Sequence, residues 1–198
     1  IIPIYTLGRD DDGAPLIVMK RIEGVAWLDV LQDPSKAPGD EEPDLMWHLE
    51  VLLQLCNAVR YAHRHDVIHR DIKPENVMIG LFGEVYLLDW GIAVSIGEER
   101  GSAVALPHRD DVIGMSGTPA YMAPEMTQDS ATNQDTRTDV YLLGAILHEI
   151  LTKRPRHTGA QLFDVLRSAF ENKPFDYPDD VPAELGTIAN RAMATDKE

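Results

Sequence analysis

The chain holds a single cysteine, Cys56, so no disulfide can form within it. Its stability must come from burial, and a reducing cytosol is compatible with that. Cys56 lies in the apolar run Leu52 to Val59 and is expected to be a small buried hydrophobe. Positive charge is scarce: 18 Lys and Arg face 33 Asp and Glu, a net charge of −15. That balance argues against nucleic acid or an anionic membrane as partner. The longest apolar run, Val140 to Leu147, is too short to span a bilayer. There is no internal repeat, and no Gly-x-Gly-x-x-Gly loop precedes Asp71.

The informative residues are polar. His69-Arg70-Asp71-Ile72-Lys73-Pro74-Glu75-Asn76 sits between two short apolar stretches, Val67-Ile68 and Val77 to Ile79. Asp71 and Asn76 therefore share one loop. Asp89-Trp90-Gly91 follows the strand-like run Val85 to Leu88, which would carry the Asp89 carboxylate to a rigid strand end. Loop and strand end can converge on one point. Two acids and an amide there suit magnesium, which takes one or two protein carboxylates plus phosphate oxygens. Such a site can hold a phosphoryl group and a hydroxyl in line. His63, His65 and His69 lie close in sequence, but no Cys or Glu of zinc-site spacing accompanies them, so a metal cluster is not expected there.

The ordered set HRDIKPEN, DWG and Ala123-Pro124-Glu125 resembles the signature of the protein kinases, and Lys73 marks the serine/threonine type. The resemblance extends to Gly117-Thr118-Pro119-Ala120-Tyr121-Met122 and Asp139-Val140-Tyr141-Leu142-Leu143-Gly144. It implies a mainly α fold: a kinase-like large lobe with short strands around the catalytic loop, plus the last strands of the small lobe. Asp71 would accept or orient the substrate hydroxyl proton. Lys73 would neutralise the transferred phosphoryl, and Thr118 would tie the docking loop to both. Asn76 and Asp89 would hold Mg2+, and Asp139 would support the catalytic-loop backbone. Met19 would be the gatekeeper beside adenine, the backbone of Lys20 to Ile22 would face the base, and Met78 would form its apolar floor. ATP, Mg2+ and protein substrates bearing Ser or Thr are the implied partners. His69 is expected to be structural. Arg70 would contact a phosphorylated loop, with Ser116 or Ser102 as acceptors and a dimer for autophosphorylation.

The family also needs a glycine-rich loop and a small-lobe Lys paired with a Glu. Neither stands before Asp71; Lys20, in Val18-Met19-Lys20, fits the hinge better. The chain is therefore expected to be part of a longer, cytoplasmic, bacterial-type kinase: 1–22 the end of the small lobe and hinge, 23–198 the large lobe. The bare fragment is expected to be inactive, and Glu125 to lack its usual Arg partner. A pseudokinase or docking module is the alternative, but Asp71, Lys73, Asn76 and Asp89 are all present. A small-molecule kinase of the antibiotic-phosphotransferase type is another, opposed by the peptide-docking segment from Gly117 to Glu125. Helical apolar spacing predicts a helix over Leu45 to Arg64 capped by Asp44. A buried helix over Val140 to Leu151 and amphipathic helices over Gln161 to Phe170 and Ala183 to Ala194 complete the expectation. Acidic clusters such as Asp10 to Asp12 read as turns. Trp90, where the family usually has Phe, needs a partner for its indole N–H if buried.

Overall fold

A computed structural model describes residues 4–39, 42–97 and 106–195. In chain order the elements are strands β1 (Ile4–Arg9), β2 (Pro15–Met19) and β3 (Gly24–Ala26), helices α1 (Trp27–Gln32) and α2 (Leu45–His63), and strands β4 (Val67–Ile68), β5 (Val77–Gly80), β6 (Val85–Leu87) and β7 (Val94–Ser95). Helices α3 (Thr136–Thr152), α4 (Leu162–Glu171) and α5 (Ala183–Ala192) follow.

β1 and β2 form an antiparallel hairpin. Asp10 Oδ1 accepts the N–H groups of Asp12 and Ala14 at 3.1 and 2.8 Å, which makes this acidic cluster a turn. β3, β5 and β6 form a three-stranded antiparallel sheet with β5 in the centre. Met78 sits at its middle, opposite Ala26 on one side and Tyr86 on the other. β4 pairs with β7, so the strand before the catalytic loop is tied to the segment after Asp89.

The helices enclose the core. Asp44 caps α2, its carboxylate accepting the Trp47 N–H at 2.8 Å. α3 starts four residues before the predicted Val140, because Asp135 and Thr138 form a capping box. It carries eleven buried residues, among them Leu142, Ile146 and Ile150. Gly144 lets α5 approach closely: a Cβ there would lie 2.8 Å from that of Ala192. α5 stops at Ala192 rather than Ala194. There Asn172 Nδ2 donates to Met193 O at 2.7 Å, which draws that carbonyl out of a helical ladder. Leu55, Ile72, Leu87, Met122 and Met126 fill the core between these helices and the catalytic loop. Cys56 is only half-buried at its edge, and burial raises its thiol pKa. No helix among the described residues is long and apolar enough to cross a membrane.

Candidate active site

The loop after β4 is fixed from below by one buried carboxylate. Asp139, fully buried near the start of α3, accepts the backbone N–H groups of His69 and Arg70, each at 2.9 Å. His63 Nε2 meets the same carboxylate at 2.8 Å. His69 is locked from the other side. The Asp71 N–H donates to His69 Nδ1 at 3.2 Å, so Nδ1 is the acceptor and Nε2 carries the proton, which goes to Leu88 O at 2.9 Å. Burial lowers the His69 pKa, in keeping with this neutral tautomer. His63, His65 and His69 thus have three separate partners: Asp139, the Tyr61 carbonyl and the Leu88 carbonyl.

Above this base the candidate residues meet. Thr118 Oγ1 donates to Asp71 Oδ1 at 2.7 Å. Lys73 Nζ donates to Thr118 Oγ1 at 2.6 Å and lies 3.1 Å from Asp71 Oδ2. Asn76 Nδ2 donates to the Asp71 carbonyl at 2.9 Å and to Asp71 Oδ2 at 3.0 Å. Thr118 reaches the cluster because Gly117, at φ +123°, turns the chain against the Arg70 carbonyl. Asp89 stands just past β6. The preceding Leu88 donates its N–H to Asn76 O at 2.8 Å, and its carbonyl accepts from His69, so both ends of that residue are pinned to the catalytic loop.

The oxygens left over suit a hard cation. Asn76 spends its amide nitrogen within the loop, leaving Oδ1 without a donor among the described residues. Among the described residues Asp89 accepts only the Gly91 N–H, on Oδ1, and it is exposed. Among the described residues no three His, Cys, Asp or Glu side chains gather into an all-protein cage. Magnesium at nucleotide sites does not need one.

The residues expected around adenine are less closely gathered. Met19 ends β2 and is largely exposed. The Lys20 ammonium donates to the hydroxyl of Tyr86, on β6, at 3.1 Å. A cavity of about 180 Å³ lies against this linker and includes Lys20 and Ile22, but not Met19, Met78 or Asp89. It is therefore distinct from the cluster around Asp71.

Several contacts were not expected from sequence. Arg70 is buried and donates through Nε to Gln134 Oε1 at 2.6 Å and through Nη1 to Ile92 O at 3.0 Å. Its Nη2 is buried and has no hydrogen-bond partner among the described residues. Glu125 accepts the Thr138 hydroxyl at 2.7 Å, so the carboxylate expected to lack its usual Arg is held by a hydroxyl from α3. Trp90 donates its indole N–H to Leu87 O at 3.3 Å and packs edge-on against His69. Ser116 is half-buried, while Ser102 lies outside the described residues.

A carboxylate bridged to a Lys and a Thr, with Asn76 Oδ1 and Asp89 Oδ2 lacking donors among the described residues, thus stands on the buried Asp139 support in a helical lobe. The protein kinase domain family matches residues 2–184, and the chain belongs to that family. Its sequence is similar to bacterial proteins named serine/threonine-protein kinase. PknD of Protochlamydia amoebophila is 31% identical over 99% of this chain and 22% of its own length. PknD of Chlamydia trachomatis is 29% identical over 98% of this chain and 23% of its own length. PknB of Mycobacterium tuberculosis is 29% identical over the whole chain and 30% of its own length. The chain thus spans about a quarter of the length of these relatives.

Proposed function

We propose that this chain is the greater part of a serine/threonine protein kinase domain, transferring the γ-phosphoryl of ATP to Ser or Thr hydroxyls of proteins. Residues 1–22 would end the small lobe and form the hinge; 23–198 would form the large lobe. The observation that carries this is the Asp71–Thr118–Lys73–Asn76 cluster, in which four polar side chains from two distant segments share hydrogen bonds. Similarity to proteins named serine/threonine-protein kinase supports the same class of acceptor.

In this proposal Asp71 takes or orients the proton of the attacking hydroxyl. The Thr118 hydroxyl holds one carboxylate oxygen and Asn76 the other, so the carboxylate cannot swing away. Lys73 lies between Thr118 and Asp71 and places a positive charge where the transferred phosphoryl passes. Asn76 Oδ1 and Asp89 would hold Mg2+, which neutralises phosphate charge when bound. Met19, the Lys20 to Ile22 backbone and Met78 would receive adenine. The setting is proposed to be cytoplasmic, with autophosphorylation at Ser116 between two copies.

Phosphate transfer from labelled ATP to a general protein substrate tests this, comparing full-length wild type with Asp71→Asn. Loss of the proton acceptor should lower the rate by roughly a hundredfold or more. An equal rate in the variant would refute the role. A wild type with no transfer to protein, but intact folding, would favour a docking module instead.

A further inference from the structure

The loop between α3 and α4 carries a buried ring whose hydrogen bonds end on three other segments. His157 is 1% exposed. Its backbone N–H donates to Ala120 O at 2.9 Å. Its Nε2 lies 3.1 Å from Met122 O and 3.0 Å from the Tyr141 hydroxyl, and its Nδ1 lies 3.1 Å from Ser168 Oγ. These partners fix the tautomer. A carbonyl can only accept, so Nε2 carries the proton toward Met122 O. The Tyr141 hydroxyl donates to Asn172 Oδ1 at 2.7 Å, which leaves its oxygen as a second acceptor for the same imidazole N–H. Nδ1 is then an acceptor, filled by the Ser168 O–H. Burial first, and then the Arg156 guanidinium, push the ring down to about 4, so the neutral form is the one present near pH 7. One neutral imidazole thus joins α3 and α4 to the backbone on either side of Tyr121.

We infer that His157 is a positioning residue for the protein substrate, holding the Ala120 to Met122 backbone in the place where the accepting segment docks. This deepens the kinase assignment above and rests on it, because the stretch from Gly117 to Glu125 docks a peptide only in that reading. A docking segment aligns a peptide only if it is itself held in place. Here it has two anchors. Thr118 is tied to Asp71 and Lys73, at the reacting end. The carbonyls of Ala120 and Met122 are tied to His157, further along. The two anchors act on different quantities. The Thr118 anchor fixes the carboxylate that meets the hydroxyl, and the His157 anchor fixes the surface that meets the rest of the peptide. The side chains and carbonyls that His157 touches belong to Ala120, Met122, Tyr141 and Ser168, none of them a residue expected around adenine or Mg2+. Losing the imidazole should therefore weaken peptide binding and leave ATP binding as it was. A ring that only filled space would need neither the Nε2 donor nor the Nδ1 acceptor.

The test uses full-length protein, with KM measured separately for a Ser/Thr peptide and for ATP. His157→Phe keeps a buried ring but removes both polar ring atoms. His157→Gln keeps a donor near the Nε2 position. The Phe variant should raise the peptide KM by roughly fivefold to fiftyfold with the ATP KM unchanged, and the Gln variant should recover most of that loss. Ser168→Ala removes only the donor to Nδ1, at a half-buried position, and should raise the peptide KM by roughly twofold to fivefold. Amide hydrogen exchange over residues 117–125 should quicken in the Phe variant without any substrate present. A Phe variant with the wild-type peptide KM and wild-type exchange would overturn the inference while leaving the kinase assignment intact. So would peptide and ATP KM rising together, or a Gln variant no better than Phe. If thermal melting shows that the Phe variant does not fold, the Gln and Ser168→Ala variants decide, and wild-type peptide KM in Ser168→Ala would then overturn it. No transfer by the wild type to any peptide or protein would overturn both readings.

Discussion

Asp139 offers the sharpest test of how the catalytic loop is held. Its carboxylate is fully buried and receives three groups: Arg70 N–H on Oδ1, and His69 N–H and His63 on Oδ2. Asp139→Asn keeps size and shape but makes one of the two positions a donor. Placing the amide nitrogen at the Oδ2 position would set it against His69 N–H, so it must face Arg70 N–H instead. One charge-assisted bond is then lost and two donors confront each other, which costs about 1.5–3 kcal/mol. Asp139→Ala leaves both backbone N–H groups buried without acceptors, a cost of about 2–6 kcal/mol. That is a large part of the roughly 5–15 kcal/mol that holds a domain folded. For a domain of this size the Asn variant should melt about 3–12 °C below wild type, and the Ala variant lower still. Differential scanning calorimetry reads the order directly. An Asn variant as stable as wild type, or an Ala variant no worse than Asn, would refute the claim that these N–H groups depend on Asp139.

Three further outcomes follow from the same geometry. Thr118→Val removes the hydroxyl that bridges Lys73 and Asp71 at nearly constant shape, so phosphotransfer should fall roughly tenfold or more with little change in melting, and Thr118→Ser should retain most of it. Gly117→Ala places a Cβ 2.6 Å from Met126 Cε at φ +123°, and the strain should destabilise by about 1–3 kcal/mol in urea titration. His48, His148 and His157 are buried, and burial pushes each down to about 4 from the ordinary 6.5. The unfolded chain therefore binds protons first: stability is full above about pH 6.5 and falls toward pH 4, by on the order of 3 kcal/mol per histidine at the limit. His48 shows why, since its Nδ1 accepts the Trp27 indole N–H at 3.1 Å and would lose that role on protonation. Denaturant unfolding that gives equal stability at pH 7 and pH 5 would contradict this.

What could be read from the chain alone was local or carried by a known order of motifs. The Asp44 cap, the helix over α2 and the turn at Asp10 to Asp12 follow from neighbours in sequence. The meeting of Asp71 with Thr118, 47 residues apart, could be anticipated only through resemblance, because no periodicity links the two segments. Three other pairings had no such guide. Arg70 and Gln134 are 64 residues apart, His63 and Asp139 76, and Tyr121 and Glu149 28. Each joins two polar residues that, taken alone, look like ordinary surface groups; tertiary packing buries them together. The hydroxyl that meets Glu125 was illegible for the same reason, since a Thr in the first turn of α3 carries no sequence mark of a carboxylate partner.

Two residues at the site adopt backbone that L side chains resist: Arg70 at φ +71° and Asp89 at φ +52°. Asp tolerates the left-handed region better than most, but for Arg it costs about 1–2 kcal/mol. Arg70 stays there because its N–H is held by Asp139 and its guanidinium by Gln134 and Ile92 O. Asp89 stays because Leu88 before it is pinned at both its N–H and its carbonyl. The strained turns set the directions in which Asp71 and Asp89 leave the backbone. Residues remote in sequence, Gln134 and Asp139, maintain the strain at Arg70. A peptide spanning only His63 to Gly97 would lack both of these anchors, so Arg70 should relax to an ordinary φ and Asp71 should leave the backbone in a different direction.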